Sequence, residues 1–465
     1  MNNNVAEQGQ RARQLMIEPF VFVNLEGWES QLVFNDHGTL QITGLIAEEN
    51  RNLYAKMATS EVKVCAKALD EAGEEIILFR GVLTQLAIAS QFQFHTMTIT
   101  VKTESYLLDQ TLHTRTFQPS ETTYQSMIQT CLDDAGGAFV MREKQDEKAQ
   151  QLTVQYQETD WEFILRMARR LGVVVLPEIK TEGKRVLIGL VKGTPSKAIQ
   201  TPRHTMAQSK HNPNSLIHYE LGVYTFETRD IYPLGQLIRF AGRTLVINEI
   251  NSRLVGSELV HVYTACVLKE NYEVPYLFQE LQGVALRGEV LKIVRDQVQV
   301  KIHEDENQAN SGVRWFDYAT VYSSPDGTGW FVMPEIGDEI RLLFPNATEI
   351  GAYVASSVHI ETNGGRINPD HKSWKTKYLK EILFTPERIL ITNNNGLSVD
   401  LVDGTGIRIN SDKKISMRAK GAIDIVSQSG NVNIHGSRSV DVQQGAAQIQ
   451  MKEAIEITGG KINMN

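Results

Sequence analysis

The last part of the chain carries a short apolar motif that recurs at a nearly constant spacing. Pairs of apolar residues, one residue apart, recur mostly every eight or nine residues between Ile389 and Met464, and the segments between them are polar or contain glycine. Both members of a pair point to the same face of a strand, and the polar segments supply turns. One strand with two inward side chains is not stable alone, so the pattern predicts a stack of many short strands.

Two stacked arrangements fit this repeat. In the first, one chain coils as a solenoid with three strands in each turn; in the second, three chains wind together and each supplies one strand in three along every face of a prism. The second arrangement closes the prism without one chain supplying its whole cross-section, and it requires a trimer. In both, the predicted core includes the central apolar pairs, which are Ile423, Ile425, Val432, Ile434, Val440 and Val442.

Strand signals also dominate residues 18–270. Runs such as FVFVNLEG, FHTMTITV and LVHVYTACVL are rich in β-branched and aromatic residues and predict β-barrels or sandwiches. Two helices interrupt these strands. The first, in SETTYQSMIQTCLDDAGG, ends at Gly136 and Gly137. Its predicted buried face consists of Tyr124, Met127, Ile128, Cys131 and Leu132.

The second helix lies in ETDWEFILRMARRLG. Thr159 and Glu162 have the spacing of a capping box, and Gly172 ends the helix. Its predicted core face consists of Trp161, Ile164, Leu165 and Ala168. The remaining positions include Arg166, Arg169 and Arg170, which we expect to form a solvated face.

Residues 284–358 contain five or six short strand signals, among them QVQVKIH and GWFVMP. This number and spacing suit a small closed barrel of the OB type. The longest polar insertion, HEDENQANSG at 303–312, contains a histidine and three acidic residues. It lacks the histidine pair that would place two metal ligands on one helix face, so we expect a solvated hairpin loop and no metal site.

Composition restricts the protein class. With 465 residues, 42% hydrophobic and 22% charged, the chain is predicted to form several folded domains. Its net charge of −8 gives no electrostatic reason to expect nucleic acid as a partner. Three widely separated cysteines, Cys65, Cys131 and Cys266, predict buried thiols. The N-terminus shows no signal-peptide pattern, so we expect a protein made in the cytoplasm.

These segments together resemble the VgrG-type spike proteins of contractile injection systems, which include type VI secretion spikes, contractile phage tail hubs and extracellular injection particles. The C-terminal repeat is similar to the family's trimeric β-helix needle, and YQETDWEFILRMARRLGV at 156–173 is similar to its signature hub helix. GTGWFVMPEIGDEIRLLF at 327–344 is similar to its OB segment. The OB signature positions include Trp330, Pro334, Gly337 and Asp338, and we expect Trp330 to anchor the barrel.

The resemblance implies a mainly β protein with four regions. These are a tail-hub-like domain at 1–275 with two β-barrel blocks plus helices, an OB-fold domain at 284–358, a linker at 359–384 and a trimeric β-helix needle at 385–465. It implies a structural central spike, carried out of the cell or into a target envelope by a contracting particle. The implied partners are two further copies of the chain, a tail-tube ring, baseplate wedge proteins and effector cargo.

An enzyme is the rival interpretation, because some family members carry a lysozyme or an effector domain. GxSxG, HExxH and P-loop motifs are absent from the sequence, so we expect no catalytic residues and no cofactor. The alternative that stays open is a tail-associated, lysozyme-like cell-wall hydrolase. The chain ends ITGGKINMN without a histidine, and we expect Ile462, Met464 and Asn465 to bind a small tip protein of the PAAR type.

Overall fold

The computed structural model describes residues 10–11, 13–58, 61–70, 73–191, 193–195, 199, 201, 203–209, 217–269, 277–360 and 367–451. The chain divides into two units, Met1–Ile360 and Glu361–Asn465. Among the described residues no helix is both long and apolar enough to cross a membrane.

The first unit begins with the strands and helices between Gln10 and Leu281, most of which lie in the region that the sequence predicts to be tail-hub-like; this part is called the hub below. The strands are β1 (Gln10–Arg11), β2 (Arg13–Glu18), β3 (Asn24–Val33), β4 (Thr39–Ile46), β5 (Lys63–Leu69), β6 (Glu75–Gln91), β7 (Phe94–Lys102), β8 (Leu112–Phe117), β9 (Ala138–Met141), β10 (Thr153–Thr159), β11 (Val175–Pro177), β12 (Arg185–Ile188), β13 (His204–Ala207), β14 (Val223–Thr228), β15 (Asp230–Ile231), β16 (Leu237–Phe240), β17 (Arg243–Val255) and β18 (Glu258–Cys266). The α-helices are α1 (Glu48–Met57), α2 (Tyr124–Ala135) and α3 (Asp160–Leu171), and short 3-10 helices lie at Glu104–Asp109, Tyr219–Leu221 and Gln279–Leu281.

Two blocks of these strands form one sheet of eleven strands. Its order is β13-β14-β18-β17-β3-β4-β7-β6-β5-β2, and β16 also pairs with β17. The strands alternate buried and exposed side chains, as in the pattern of β7. Residues of both blocks share one apolar core, for example Leu40 and Ile99 with Phe226 and Tyr263.

An α/β segment lies between the two blocks in sequence. Helices α2 and α3 share a core with residues of β9 and β12, and β8 pairs with β10. The predicted buried face of α2 is confirmed, because all five of its residues are buried. The predicted capping box of α3 is also confirmed: Thr159 Oγ1 accepts from Glu162 N at 3.1 Å, and Thr159 N donates to Glu162 Oε2 at 2.9 Å.

The sequence prediction of two helices missed α1. This helix buries only Tyr54, whose hydroxyl accepts a hydrogen bond from Val21 N at 2.9 Å. A single buried residue gives no helical periodicity from which the helix could have been predicted. The expected buried thiols are found at Cys131 and Cys266, whereas Cys65 is only partly buried.

The rest of the first unit forms a five-stranded sheet. Its strands are β19 (Ala285–Val294), β20 (Gln297–Ile302), β21 (Trp315–Asp317), β22 (Glu339–Leu343) and β23 (Tyr353–Ser357), in the order β21-β20-β19-β22-β23. A parallel bridge between Tyr318 and Val354 joins the two ends, with Ala319 N donating to Val354 O at 2.8 Å. The sheet is therefore a closed barrel, and Phe316 and Phe344 lie in its core. The expected strand in GWFVMP is not formed.

The second unit contains a five-stranded antiparallel meander and a hairpin. The meander consists of β24 (Lys372–Lys375), β25 (Glu381–Thr385), β26 (Arg388–Thr392), β27 (Leu397–Val402) and β28 (Gly406–Ser411), and the hairpin of β29 (Val440–Gln444) and β30 (Ala447–Met451). Strands β24 and β25 begin within residues 359–384, which the sequence analysis assigned to a linker. The described residues between β28 and β29 form no strand.

Candidate assembly surfaces

Helix α3 carries one buried and one nearly buried arginine, which corrects the expected solvated face at Arg166 and Arg170, whereas Arg169 is exposed as expected. Arg166 is 2% exposed, and the side chain of Arg170 is 10% exposed. Their partners, Glu158 and Glu349, lie on other elements of the fold. The periodicity of the helix identified its apolar face but contained no information about Glu158, which precedes the helix, or about Glu349, which lies 183 positions after Arg166.

The two arginines form an ionic cluster with Glu158 and Glu349. Arg166 donates to Glu158 Oε2 at 2.6 Å and to Glu349 Oε1 at 3.2 Å. Arg170 Nη2 donates to Glu349 Oε2 at 2.6 Å. The Arg166 guanidinium also lies 4.4 Å from the ring centroid of Phe278, next to the barrel. Because Glu349 lies between β22 and β23, this cluster joins the hub helix to the barrel.

Electrostatics keep Glu349 ionised. Its side chain is fully buried, and burial alone would raise the pKa of its carboxyl group. The charges of Arg170 and Arg166 and the hydrogen bond from Arg170 outweigh burial and lower the pKa below its ordinary value. Glu349 therefore stays negatively charged at neutral pH and pairs with both arginines.

The acidic loop at 303–312 makes a second contact between barrel and hub, so the expected solvated hairpin loop is wrong. Asp305 is 4% exposed; it accepts hydrogen bonds from the backbone and hydroxyl of Thr116 in β8. Glu306 N donates to Thr114 O at 2.9 Å, and Thr114 N donates to Glu306 Oε1 at 3.0 Å. The loop thus forms hydrogen bonds with strand β8 of the hub, which also pairs with β10. The described residues contain no cluster of potential metal ligands, here or elsewhere.

One arrangement in the hub has the residue types of a hydrolytic triad. His37 Nδ1 lies 2.9 Å from Ser105 Oγ, and His37 Nε2 lies 3.6 Å from Asp109 Oδ2. Ser105 is 1% exposed, and the His37 ring packs on Trp161 with centroids 4.3 Å apart. A serine without access to solvent cannot meet a polymeric substrate. Burial likewise raises the pKa of the Cys131 thiol, so it is not an activated nucleophile.

Trp330 does not anchor the barrel, contrary to the expectation. Its side chain is 63% exposed, and the neighbouring Phe331 is 73% exposed. The other signature positions lie in loop and turn segments: Gly337 has a φ of +90°, and Asp338 Oδ2 accepts from Glu335 N at 2.8 Å. The turn chemistry of Gly337 and Asp338 was therefore predictable from sequence, and the position of Trp330 was not.

The meander of the second unit has one apolar face. Cross-strand pairing aligns two rows of side chains on this face. The first row is Phe384, Ile389, Leu401 and Ile407, and the second is Trp374, Ile382, Ile391, Val399 and Ile409. Several of these side chains are open to solvent in the single chain; Ile407 is 70% and Ile409 60% exposed. Such a contiguous apolar face is typical of an interface.

The meander adds a local pairing to the predicted repeat. Neighbouring strands between Lys372 and Ser411 pair with one another within the single chain. The predicted core positions further along are exposed in the single chain, with Ile425 at 62% and Ile434 at 69%. Val440 and Val442 lie on β29. The predicted tip residues Ile462, Met464 and Asn465 lie outside the described residues.

Part of the first unit is similar to a known protein family. Residues 45–229 match the family model of the phage tail baseplate hub (GPD). This segment spans most of the first strand block, both predicted helices and the start of the second block. No curated protein matches the chain significantly.

Solved structures share the fold over most of the chain. The E. coli c3393 protein, a component of the type VI secretion system similar in structure to bacteriophage T4 tail proteins, matches with a TM-score of 0.51 and 14% identity, covering 75% of this chain and 100% of its own. The lidded Francisella PdpA-VgrG complex matches with a TM-score of 0.57 and 7% identity, covering 88% of this chain and 81% of its own. The half-lidded complex matches with a TM-score of 0.55 and 8% identity, and the match covers 88% of this chain and 88% of its own. The resemblance to VgrG-type spikes found in the sequence is confirmed.

Proposed function

We propose that this chain, which contains a baseplate hub segment and has the fold of VgrG-type spikes, is the structural central spike of a contractile, phage-tail-like injection machine. The observation that carries the proposal is that one chain contains two features. Residues 45–229 match the tail hub family, and the C-terminal unit has an uncovered apolar sheet. The hub joins the inner tube to the needle, and the needle punctures a target membrane when the sheath contracts.

Three chains form the spike. The apolar rows of the meander are covered by the same face of two other copies, which removes about 25 cal/mol of unfavourable free energy per Å² of apolar surface buried. Residues 412–439 form no strand within the chain. Strands contributed by other copies form hydrogen bonds with their backbone N–H and C=O groups. Ile423, Ile425, Val432 and Ile434 then lie in the needle interior.

Residues 284–358 act as an OB-type collar, which follows the hub and precedes the needle along the chain. The closed five-stranded barrel and its two contacts with the hub, at Glu349 and at Asp305, support this role. The collar and hub therefore move together under force. Gly337 and Asp338 shape the turn before β22, while Trp330 and Pro334 belong to an exposed segment.

The partners follow from this position in the machine. The hub binds the terminal ring of a tail-tube protein and the baseplate wedges, and the particle carries the chain out of the cell or into a target envelope. An effector is a further partner, by analogy with the printed PdpA-VgrG complex. Nucleic acid is not a partner, because the chain is acidic and has no basic stripe.

A small conical protein of the PAAR type covers the needle end through Ile462, Met464 and Asn465. The unpaired strand edges at the end of a β-prism favour such a cap. Co-expression with PAAR-type candidates and pull-down tests this: deletion of residues 458–465 should abolish capture and leave the trimer intact. Capture that survives the deletion would place the cap elsewhere.

The spike is not an enzyme in this proposal. The buried position of Ser105 and the high pKa of Cys131 favour a structural role over the cell-wall hydrolase alternative. A turbidity assay on purified cell walls separates the two functions, because lysis by the purified chain would support the hydrolase.

The proposal is tested by the mass of the full chain in solution, measured by light scattering at micromolar concentration. We expect a trimer that does not dissociate readily. Removal of residues 385–465 should weaken trimerisation strongly while the hub still folds. A clean monomer of the full chain would contradict the proposal and favour a single-chain solenoid.

A further inference from the structure

A cavity of about 500 Å³ lies inside the hub, between its two strand blocks and the α/β segment. Trp28 and Leu32 line it from β3 of the first block, and Ile250 and Leu259 line it from β17 and β18 of the second. Leu187 of β12 contributes from the α/β segment. Sites for small molecules in proteins are mostly apolar and have volumes of roughly 300–1,000 Å³. The cavity therefore has the size and the lining of a small-molecule site.

The inner part of the cavity is uncharged. Two pairs of its polar side chains bond to one another: Trp28 Nε1 donates to Ser30 Oγ at 3.2 Å, and His261 Nδ1 lies 2.7 Å from Ser252 Oγ. Burial lowers the pKa of His261 to about 4, so its ring carries no charge at neutral pH. This interior favours an apolar group, because burying an unpaired charge is costly.

The charged side chains of the lining have a net positive charge. Among the described residues that line the cavity, only Arg142, Glu178 and Lys180 are charged. The Glu178 carboxylate accepts hydrogen bonds from the backbone N–H groups of Lys180 at 2.6 Å and Thr181 at 3.2 Å. Two cations thus accompany one carboxylate that is already hydrogen-bonded, and this arrangement favours an anionic ligand.

Both cations lie on the side of the cavity that opens to solvent. The lining is exposed at Lys180, Val191 and Pro233, and Val191 is 57% exposed. Arg142 is close to this side, because its backbone N–H donates to Ile188 O at 2.9 Å and Val191 follows three residues later. The cavity thus combines an apolar, uncharged interior with a positively charged entrance.

We propose that this cavity binds a fatty acid, with its acyl chain in the apolar interior and its carboxylate at the entrance beside Arg142 and Lys180. The apolar lining supplies the affinity for the chain. The carboxylate stays partly hydrated at the entrance, where a guanidinium group binds it through two parallel hydrogen bonds. The site is formed within one chain, so it is independent of the proposed spike function.

Calorimetric titration of the full chain at neutral pH tests the site, with decanoate as the probe. We expect saturable binding of one decanoate per chain. Octanoate has the same head group and a shorter chain, and we expect it to bind about tenfold more weakly, because each buried methylene group contributes to affinity. An absence of saturable decanoate binding would overturn the proposal, and so would equal affinity for the two acids.

The role of Arg142 is tested with decanol, a neutral ligand of the same chain length. Arg142→Gln should weaken decanoate binding about tenfold, since a hydrogen bond to a charged group is lost, and should leave decanol binding unchanged. Arg229→Gln is the matched control, because Arg229 is 55% exposed and lies outside the lining, and we expect it to change neither affinity. Equal losses for both ligands with Arg142→Gln would overturn the contact between Arg142 and the carboxylate.

A bulky side chain near the entrance tests the cavity itself. Ile179 is a partly buried lining residue next to Lys180, and Ile179→Trp should fill the cavity and abolish binding of both ligands. Val140→Trp adds the same ring at a position that is 52% exposed and outside the lining, so we expect wild-type binding. Melting temperatures without ligand show whether the variants are folded. Full binding by folded Ile179→Trp would overturn the cavity as the site, and Arg142→Gln decides the proposal if Ile179→Trp does not fold.

Discussion

Arg166 and Glu349 form an ion pair in which both side chains are at most 1% exposed, with Nη1 of the arginine 3.2 Å from Oε1 of the glutamate. The first residue lies on hub helix α3 and the second on the barrel. Glu349 also binds Arg170 at 2.6 Å, so one carboxylate holds two cations. One acidic side chain of the barrel thus makes both ionic contacts with helix α3.

Removing that carboxylate should destabilise the first unit strongly. Glu349→Ala leaves the Arg166 and Arg170 charges buried without their shared partner, which costs about 3–5 kcal/mol when a buried pair is broken from one side. Urea unfolding followed by tryptophan fluorescence measures the change. We also expect faster proteolysis between hub and barrel.

A matched control removes an exposed glutamate that binds an arginine. Arg229 and Glu258 are 2.6 Å apart, with side chains 55% and 59% exposed. Glu258→Ala should cost no more than about 1 kcal/mol, since solvent screens an exposed pair. Equal losses from Glu349→Ala and Glu258→Ala would mean that the buried cluster does not join hub and barrel.

Acid should destabilise the hub through His261. Burial lowers the pKa of this histidine from 6.5 to about 4, although Asp230 opposes the shift. Its Nδ1 lies 2.7 Å from Ser252 Oγ. The pKa of His261 is thus lower in the folded than in the unfolded chain, so the unfolded chain takes up a proton first as the pH falls. The contribution of the neutral ring to stability is complete above pH 6.5. It amounts to about 3 kcal/mol and is lost as the pH falls towards 4.

The measurement is the free energy of unfolding of the wild type and of His261→Gln at several values of pH between 7 and 4. The variant should start less stable and show a shallower fall, so that the two curves converge in acid. Parallel curves would show that His261 is not responsible for the acid sensitivity.

Local signals made helices α2 and α3 predictable, but not α1. The capping box at Thr159 and the apolar face of α2 depend on residues within a few turns of one another, and both were found in the structure. The burial of Arg166, in contrast, involves an ion pair with Glu349, which lies 183 positions away. No periodicity links such residues, so the sequence alone placed this arginine in solvent.

Which strands are neighbours in the C-terminal unit also could not be predicted from the sequence. The apolar pairs in the C-terminal region predicted which side chains share a face, and Val399 and Ile409 do lie in one row. The identity of the neighbouring strand was not encoded in that pattern, because any strand with the same alternation can pair. The meander, and the exposed segment around Trp330, could therefore be recognised only in the structure.

Trp330 and Phe344 should differ sharply when each is replaced by alanine. Phe344 is fully buried in the barrel core, and Phe344→Ala should cost about 3–5 kcal/mol. Trp330 is 63% exposed, and Trp330→Ala should change stability by only about 0.5 kcal/mol. Urea unfolding of the two variants provides the comparison. A large loss with Trp330→Ala would restore the expected role of this residue as a barrel anchor.

The apolar face of the meander allows a test in which folding and assembly are separated. Ile409 is 60% exposed in the single chain, and its neighbour Asn410 points to the opposite face of β28, where it lies opposite Ser398. Because both side chains face solvent in an isolated chain, an aspartate at either position should leave a monomer folded. In a trimer whose chains cover the apolar face, Ile409→Asp would bury three carboxylates at a cost of several kcal/mol each. Light scattering should therefore give a smaller mass for Ile409→Asp and a trimer for Asn410→Asp, and two trimers of equal thermal stability would show that the apolar face is not the interface.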